Sequence, residues 1–478
     1  MSISYDKHDK EKTGGLGHGG STVDVTTAAA NTKGGYSDVV VHDAVFGDLE
    51  SGGPNFRGVS APGAFVLMTK ANFGLGVLGI PSVFHTLGLV PGIIAICGIQ
   101  FIYAWCASFI GQTKLIHPEI YSLADAAFIF GGKIGREVFC AIFIIFFIFC
   151  GSGAIIGVST ALNAVSSHGA CTAVFIAVAA VVGLILSSIR TLSKVSWVGW
   201  AGLVSILSAI LTVTVAVGRQ ARPAEAPQTG PWDKGFLIIG RPSFAEAMGA
   251  INVILFSSAS SPIYYGIISE MRDPRKYPKA MYPCYAFLTG VYLIIGAVVY
   301  YFCGQYVANP ALGSAGLLLK KICYGLALPG LCASMTIFNH VSAKLVFVRI
   351  LGGTKHLTSN TWQHWTTWLG STTSCIIVAY IIASAIPNFG SIISLVGALF
   401  CPISAMAPMM LSWIHDNVRA NPNRLTSRQR IIFAVNIVFL IFCVFFTGAG
   451  TYAAIKDIIS GGNNGGPWSC DNNSGATH

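Results

Sequence analysis

The feature that most constrains this chain is a succession of apolar runs, each long enough to cross a bilayer and nearly free of charge. A transmembrane helix needs about 20 such residues. Eleven runs follow one another at approximately 61–83, 89–113, 135–160, 170–190, 194–218, 243–269, 280–303, 321–349, 363–386, 388–414 and 430–456. The fourth and fifth are separated by little more than Arg190 and Lys194, yet together they are far too long for one span, so they predict a hairpin. Only 10% of the 478 residues are charged and 53% are hydrophobic. Soluble domains run near 25% charged, so this composition excludes a soluble enzyme and predicts an all-α transmembrane protein of eleven helices.

Direction follows from the basic residues, because cytoplasmic loops carry the excess of Lys and Arg. With the N-terminus inside, 20 of the 29 Lys and Arg lie on the inner side, 7 outside and 2 within spans. The odd number of spans then places the C-terminus outside. The net charge of +10 is thus a topology signal, and no nucleic-acid partner is expected. Residues 1–59 are polar and low in complexity, with paired glycines and no apolar leader, and read as a disordered cytoplasmic tail. Residues 60–459 form the transmembrane domain and 460–478 a short extracellular tail.

Backbone inside a bilayer must satisfy its own hydrogen bonds, so a broken span is tolerated only beside a cavity or within protein. The first run contains Asn72-Phe73-Gly74-Leu75-Gly76-Val77-Leu78-Gly79-Ile80-Pro81, where three glycines and a proline weaken the helix near mid-membrane. The sixth contains Phe256-Ser257-Ser258-Ala259-Ser260-Ser261-Pro262. Serines there compete for backbone groups, and Pro262 removes a donor. Gly and Ser also serve as close-packing residues between helices, which is the plain reading of Gly153 and Gly157. The positions of the two breaks decide between the readings. They open two successive sets of five spans, the arrangement of a 5+5 inverted repeat plus one extra helix, with the substrate at the interrupted helices.

The run Gly74 to Pro81, the loop Gly111-Gln112-Thr113-Lys114-Leu115-Ile116-His117-Pro118-Glu119-Ile120 and the segment Ser269-Glu270-Met271-Arg272-Asp273-Pro274 together resemble the amino acid/auxin permease family. The terminal segments Gly450 to Ile459 and Pro467-Trp468-Ser469-Cys470 resemble its filamentous-fungal neutral amino acid permeases. The resemblance covers residues 60 to 470. It implies a LeuT-like bundle and proton-driven import of amino acids, with the plasma membrane as the expected location.

An amino-acid zwitterion requires partial charges of both signs, placed apart. N–H groups at the half-helix beginning near Gly76 suit a carboxylate. Carbonyls around Ala71 to Phe73 and Phe256 to Ser258, with the hydroxyls of Ser257, Ser258, Ser260 and Ser261, suit an ammonium. The candidate substrate site is therefore Asn72, Phe73, Gly74, Leu75, Gly76, Val77, Phe256, Ser257, Ser258, Ala259, Ser260 and Ser261. No residue in either break is charged, so neutral substrates fit best. Phe73, Phe147 and Phe256 are candidates for an apolar subsite or for ordinary packing. Ionisable groups inside spans are functional by default, and here they are Lys70, Glu246, His340 and Lys344, with His85 and Glu270 nearer the ends. Lys70, His340 and Lys344 are the candidates for ion coupling, in which a proton is expected ahead of sodium. Snorkelling to the headgroups is the plain alternative for Lys344.

Eleven of the 13 cysteines fall within or at the ends of spans, as small apolar side chains. Cys171 and Cys470 fall in outer segments and are expected to form a disulfide. Asn472-Asn473-Ser474 is a glycosylation sequon on the same tail. No spacing suggests a metal or a cofactor, and no clustered His, Asp or Glu suggests catalysis. A membrane transporter is therefore expected rather than an enzyme, with an amino-acid sensor or a vacuolar exporter of the same fold as alternatives.

Overall fold

The computed structural model describes residues 41–43, 47–49, 58–189, 192–352, 354, 356, 361–419, 425–460 and 466–474. Its helices in chain order are α1 Ala61–Asn72, α2 Ile80–Leu87, α3 Leu89–Ile116, α4 Leu123–Ser166, α5 Thr172–Ser187, α6 Leu192–Arg219, α7 Phe244–Ser257 and α8 Tyr264–Ser269. They continue as α9 Tyr277–Cys303, α10 Leu317–Leu351, α11 Trp362–Ala385, α12 Phe389–Leu399, α13 Cys401–Ala405, α14 Ala407–Ile414 and α15 Ser427–Ile459. Most of the expected N-terminal tail lies outside the described residues. Within it, Val41–Asp43 and Gly47–Leu49 pair as antiparallel strands, where the sequence predicts only disorder.

Among the described residues eight helices are long and apolar enough to cross a membrane, and ten spans result if each of two bent pairs is one span. The expected fourth span is α5, only 16 residues long, shorter than the usual crossing length. The third is longer than its apolar run: α4 begins at a capping box in which Ser122 and Asp125 exchange hydrogen bonds, and it turns at Gly132, whose φ is +59°. That positive φ is a conformation glycine adopts without strain. The first bent pair, α1 with Gly76–Leu87, turns by 52° at the glycine run. The second, α12 with Cys401–Arg419, turns by 48° at a place the sequence analysis does not mark. Pro402 and Pro408 sit in the first turns of α13 and α14, where the missing N–H costs least.

The core packs α10 against α4 and α6, and α7 against α12 and α15. Small residues allow these approaches. Asn252 of α7 donates from Nδ2 to Ser394 Oγ on α12 at 3.1 Å and to the Gly450 carbonyl on α15 at 3.0 Å. A side-chain carbon on Gly397 would collide with the Asn252 carbonyl. Bulky apolar residues such as Ile94, Ile134, Val204, Ile294 and Val444 remain exposed on the outer perimeter, where lipid replaces water as the solvent.

Two further contacts position the ends. Val59, just before α1, exchanges backbone hydrogen bonds of 3.0 Å with Glu270 and Arg272, just after α8. Cys171 and Cys470 are joined by a disulfide, with Cα atoms 4.4 Å apart. Around it Thr172 Oγ1 donates to the Asp471 carbonyl at 2.6 Å, Asn163 Nδ2 donates to Asn473 Oδ1 at 2.8 Å, and Trp468 N–H donates to the Ser384 carbonyl at 2.9 Å. The segment 466–474 is thereby folded against α4, α5 and α11. Asn472 Nδ2 is buried there without a hydrogen-bond partner, so a glycan on that nitrogen requires the tail to open.

Candidate functional site

The two breaks meet. α1 ends at Asn72, Phe73 is extended (ψ 93°), and a single 3-10 turn, Gly76–Gly79, leads into α2. Opposite it α7 ends at Ser257, and a 3-10 turn at Ser261–Ile263 leads into α8. A Cβ on Gly76 would lie 2.5 Å from both the Cα and the Oγ of Ser257, so only glycine permits this crossing. A Cβ on Gly79 would lie 2.9 Å from Val253, one turn further along the same contact.

Among the described residues no backbone carbonyl accepts from the N–H groups of Gly74 to Val77, and no backbone donor reaches the carbonyls of Ala71 to Phe73. The first break therefore offers donors and acceptors within a few residues. The second is more fully satisfied than the sequence suggests. Tyr292 Oη donates to the Ser257 carbonyl at 2.7 Å, Tyr103 Oη donates to the Leu255 carbonyl at 2.8 Å, and the Phe256 carbonyl accepts from Ala259 N–H at 3.4 Å. Asn72 ties the breaks together: its Nδ2 donates to the Met68 carbonyl at 3.0 Å and to Tyr264 Oη at 2.7 Å. Ser260 Oγ lies 3.3 Å from the same phenol. Asn72 Oδ1 and Ser258 Oγ are buried without a partner, a costly condition unless something binds there.

A cavity of about 50 Å³ lies at the crossing. Of the twelve sequence-predicted substrate residues, Asn72, Gly74, Leu75, Gly76, Phe256, Ser257, Ala259 and Ser260 line it. The other four do not. Phe73 turns toward Phe287 and Tyr292, with ring centroids 6.1 and 6.3 Å away. Val77 and Ser258 are fully buried. Ser261 Oγ donates to the Ala405 carbonyl at the end of α13, at 2.7 Å. The opposite wall is aromatic: Phe143, Phe146 and Phe147 of α4 and Phe338 of α10. Only Phe147 of these is singled out in the sequence; the others come from distant spans with no local signal.

Two larger cavities flank the crossing. One of about 410 Å³, almost wholly apolar, opens between α1, α6, α8 and α10. The other, of about 940 Å³, is polar and includes His85, Glu246, Asn309, Ser391, Lys456 and Asp457.

The coupling candidates are dispersed. Lys70 lines the apolar cavity, with Nζ 5.7 Å from the centre of the Trp200 ring. His340 is fully buried on another face of α10, its ring 5.2 Å from Trp368 and directed at the end of α5. Lys344 is exposed, within reach of Glu270, whose Oε1 accepts from Tyr121 Oη at 3.2 Å. Glu246 sits at the start of its span and lines the polar cavity. It forms a capping box with Ser243 at the start of α7 and is exposed.

Residues 57–456 match the family model of the transmembrane amino acid transporter protein. A "Transmembrane transporter" of Gibberella moniliformis is 35% identical over 427 residues, covering 88% of this chain and 90% of that protein. The "N amino acid transport system protein" of Neurospora crassa is 31% identical over 414 residues, covering 85% and 86%. The solved structure of Mhp1, a nucleobase-cation-symport-1 family transporter in a closed conformation with bromovinylhydantoin bound, aligns with a TM-score of 0.52 at 13% identity, covering 84% of this chain and 91% of that one. This likeness concerns the fold, which is LeuT-like. The chain belongs to the transmembrane amino acid transporter family, and is a multi-pass membrane protein.

Proposed function

We propose that the protein is a secondary carrier that imports neutral amino acids by proton symport, with alternating access about the crossing of the two broken helices. One observation carries the reading: the cavity at Gly76 and Ser257 offers unpaired backbone donors and acceptors, while no Asp, Glu, Lys or Arg lines it. The substrate carboxylate takes the N–H groups of Gly74 to Gly76, at the start of the half-helix that continues as α2, where peptide dipoles favour an anion. The ammonium takes the carbonyls of Ala71 and Asn72 and the free Asn72 Oδ1. An apolar side chain lies against Phe143, Phe147 and Phe338. A side chain with formal charge would be desolvated there with no counter-ion, at a cost of several kcal/mol.

Alternating access suits the geometry, since the crossing lies between the apolar and the polar cavity. Proton coupling is supported by the presence of ionisable groups within spans and by the resemblance in sequence. The charge bias places the Lys/Arg-rich loops in the cytoplasm, so uptake from outside begins at the polar cavity. Counterflow with purified protein in proteoliposomes tests the substrate class. Labelled neutral amino acids are expected to exchange, whereas arginine and glutamate are not. Equal exchange of charged and neutral substrates would overturn the assignment.

A further inference from the structure

At the Lys/Arg-rich face the inner ends of two spans are held together by titratable side chains that the transport site does not use. Asp416 lies in the π-helical turn His415–Arg419 that ends the second bent span. Its side chain is only 5% exposed. Asp416 Oδ1 meets His117 Nε2 at 3.0 Å, from the residue that terminates α3, and His415 Nδ1 at 3.3 Å. Its Oδ2 is buried without a partner.

The charged and titratable surroundings are few. Glu119 Oε1 is 3.6 Å from His117 Nδ1. Lys114, one turn back on α3, directs Nζ to the carbonyls of Pro118 and Ile120, at 2.6 Å each. Tyr265 of α8 lies beside Ser412 and within reach of the Asp416 charge. Arg419 closes the π-turn. Arg428 and Arg430 are exposed in the first turn of α15, which is tied to the cluster where Gln429 Nε2 donates to Asn417 Oδ1 at 3.3 Å.

The cluster is mechanically connected to the crossing. α14 runs from it back to the end of α13, where the Ala405 carbonyl accepts the Ser261 hydroxyl beside the second break. Any motion that moves this inner segment relative to α3 must break the contacts of His117 with Asp416. Histidine is the side chain that ordinarily changes charge between pH 5 and 8, and a protonated imidazole adds Coulomb attraction to the hydrogen bond that a carboxylate already accepts from the neutral ring.

We propose that His117, Asp416 and His415 form a proton-operated latch on the cytoplasmic side, through which acidification of the cytosol slows the carrier. With both imidazoles protonated the buried carboxylate is held by two cations; with both neutral it is held by weaker contacts and the segment releases. The latch is separate from the coupling site and stands whichever ion drives uptake.

The test is equilibrium exchange of a labelled neutral amino acid in proteoliposomes, with equal amino acid on both sides, the external pH fixed and the membrane potential clamped. As the internal pH falls from about 8 to about 5.5, wild-type exchange should slow roughly tenfold, the size of one charge-assisted hydrogen bond. In the His117→Gln/His415→Gln variant the internal response should shrink at least threefold, while the external pH response is unchanged. An internal response of wild-type size in the variant would overturn the latch, as would none in wild type. Should the variant fail to express, amide hydrogen exchange of wild type gives the same decision. After correction for intrinsic rates, residues 415–419 should be better protected at pH 5.5 than at pH 8, and equal protection would reject the proposal. Failure of the latch leaves the external response intact, whereas failure of proton symport removes it.

Discussion

Gly76 and Ser257 cross so closely that the missing side chain of one is occupied by the backbone of the other: a Cβ on Gly76 would stand 2.5 Å from the Ser257 Cα. The two interrupted helices, 181 positions apart, are thereby fixed against each other at the one place where both leave regular geometry.

Gly76→Val is the direct probe of that crossing. The added side chain must push the breaks apart, because the atoms it meets first include the Ser257 backbone. Uptake is expected to fall at least about a hundredfold, since displacing a positioned group by an ångström has that effect. Surface expression should persist. Normal uptake by a correctly inserted Gly76→Val protein would remove the site from the crossing.

Tyr292 caps the Ser257 carbonyl from α9, so Tyr292→Phe leaves that carbonyl without its hydroxyl donor. The loss should lower stability by about 1 kcal/mol, read as a reduced midpoint in detergent. Because a further acceptor is then open beside the cavity, the apparent substrate affinity should change as well. Unaltered stability and affinity would show that the capping bond contributes nothing.

The first break is legible in the sequence because its cause is local: three glycines and Pro81 within eight residues weaken any helix. The bend between α12 and α14 has local prolines too, Pro402 and Pro408, but each is tolerated in the first turn of a helix, so neither announces a break on its own. The tyrosines are a different case. Tyr264 reaches Asn72 across 192 positions and Tyr103 reaches Leu255 across 152, and a buried phenol in an apolar run carries no sign of which carbonyl it will cap. The capping role of Glu246 is legible, since Ser243-Phe244-Ala245-Glu246 has the spacing of a capping box. The aromatic wall from α4 and α10 depends on how non-adjacent helices pack, which no local pattern encodes.

Glu270 offers a pH-dependent readout outside the spans. Burial raises its carboxyl above the ordinary carboxylate range, while the Tyr121 hydrogen bond and the Lys344 charge act in the opposite direction. A group raised on folding contributes stability below its unfolded pKa and loses it as pH rises through the folded value. Glu270→Gln should therefore become more stable relative to wild type as pH rises from the ordinary carboxylate range, about pH 4, through the raised value in the folded protein. Thermal denaturation across that window is the measurement, and a constant difference would contradict the burial argument.

The bond between Cys171 and Cys470 fixes the last described segment to the start of α5. Non-reducing peptide mapping of intact membranes should recover both cysteines in one linked species. Cys470→Ser should make residues 466–474 sensitive to protease added from outside while transport continues. Alkylation of Cys470 without reduction would contradict the bond, and cleavage only from the cytoplasmic side would reverse the proposed orientation.

The central claim is that a neutral amino acid and a proton cross together. Proteoliposomes carrying the full chain, given an inward pH gradient and a labelled neutral amino acid without sodium, provide the most direct measurement. The account predicts transient accumulation above the external concentration, lost on adding a protonophore. Accumulation that requires sodium and ignores the pH gradient would contradict it.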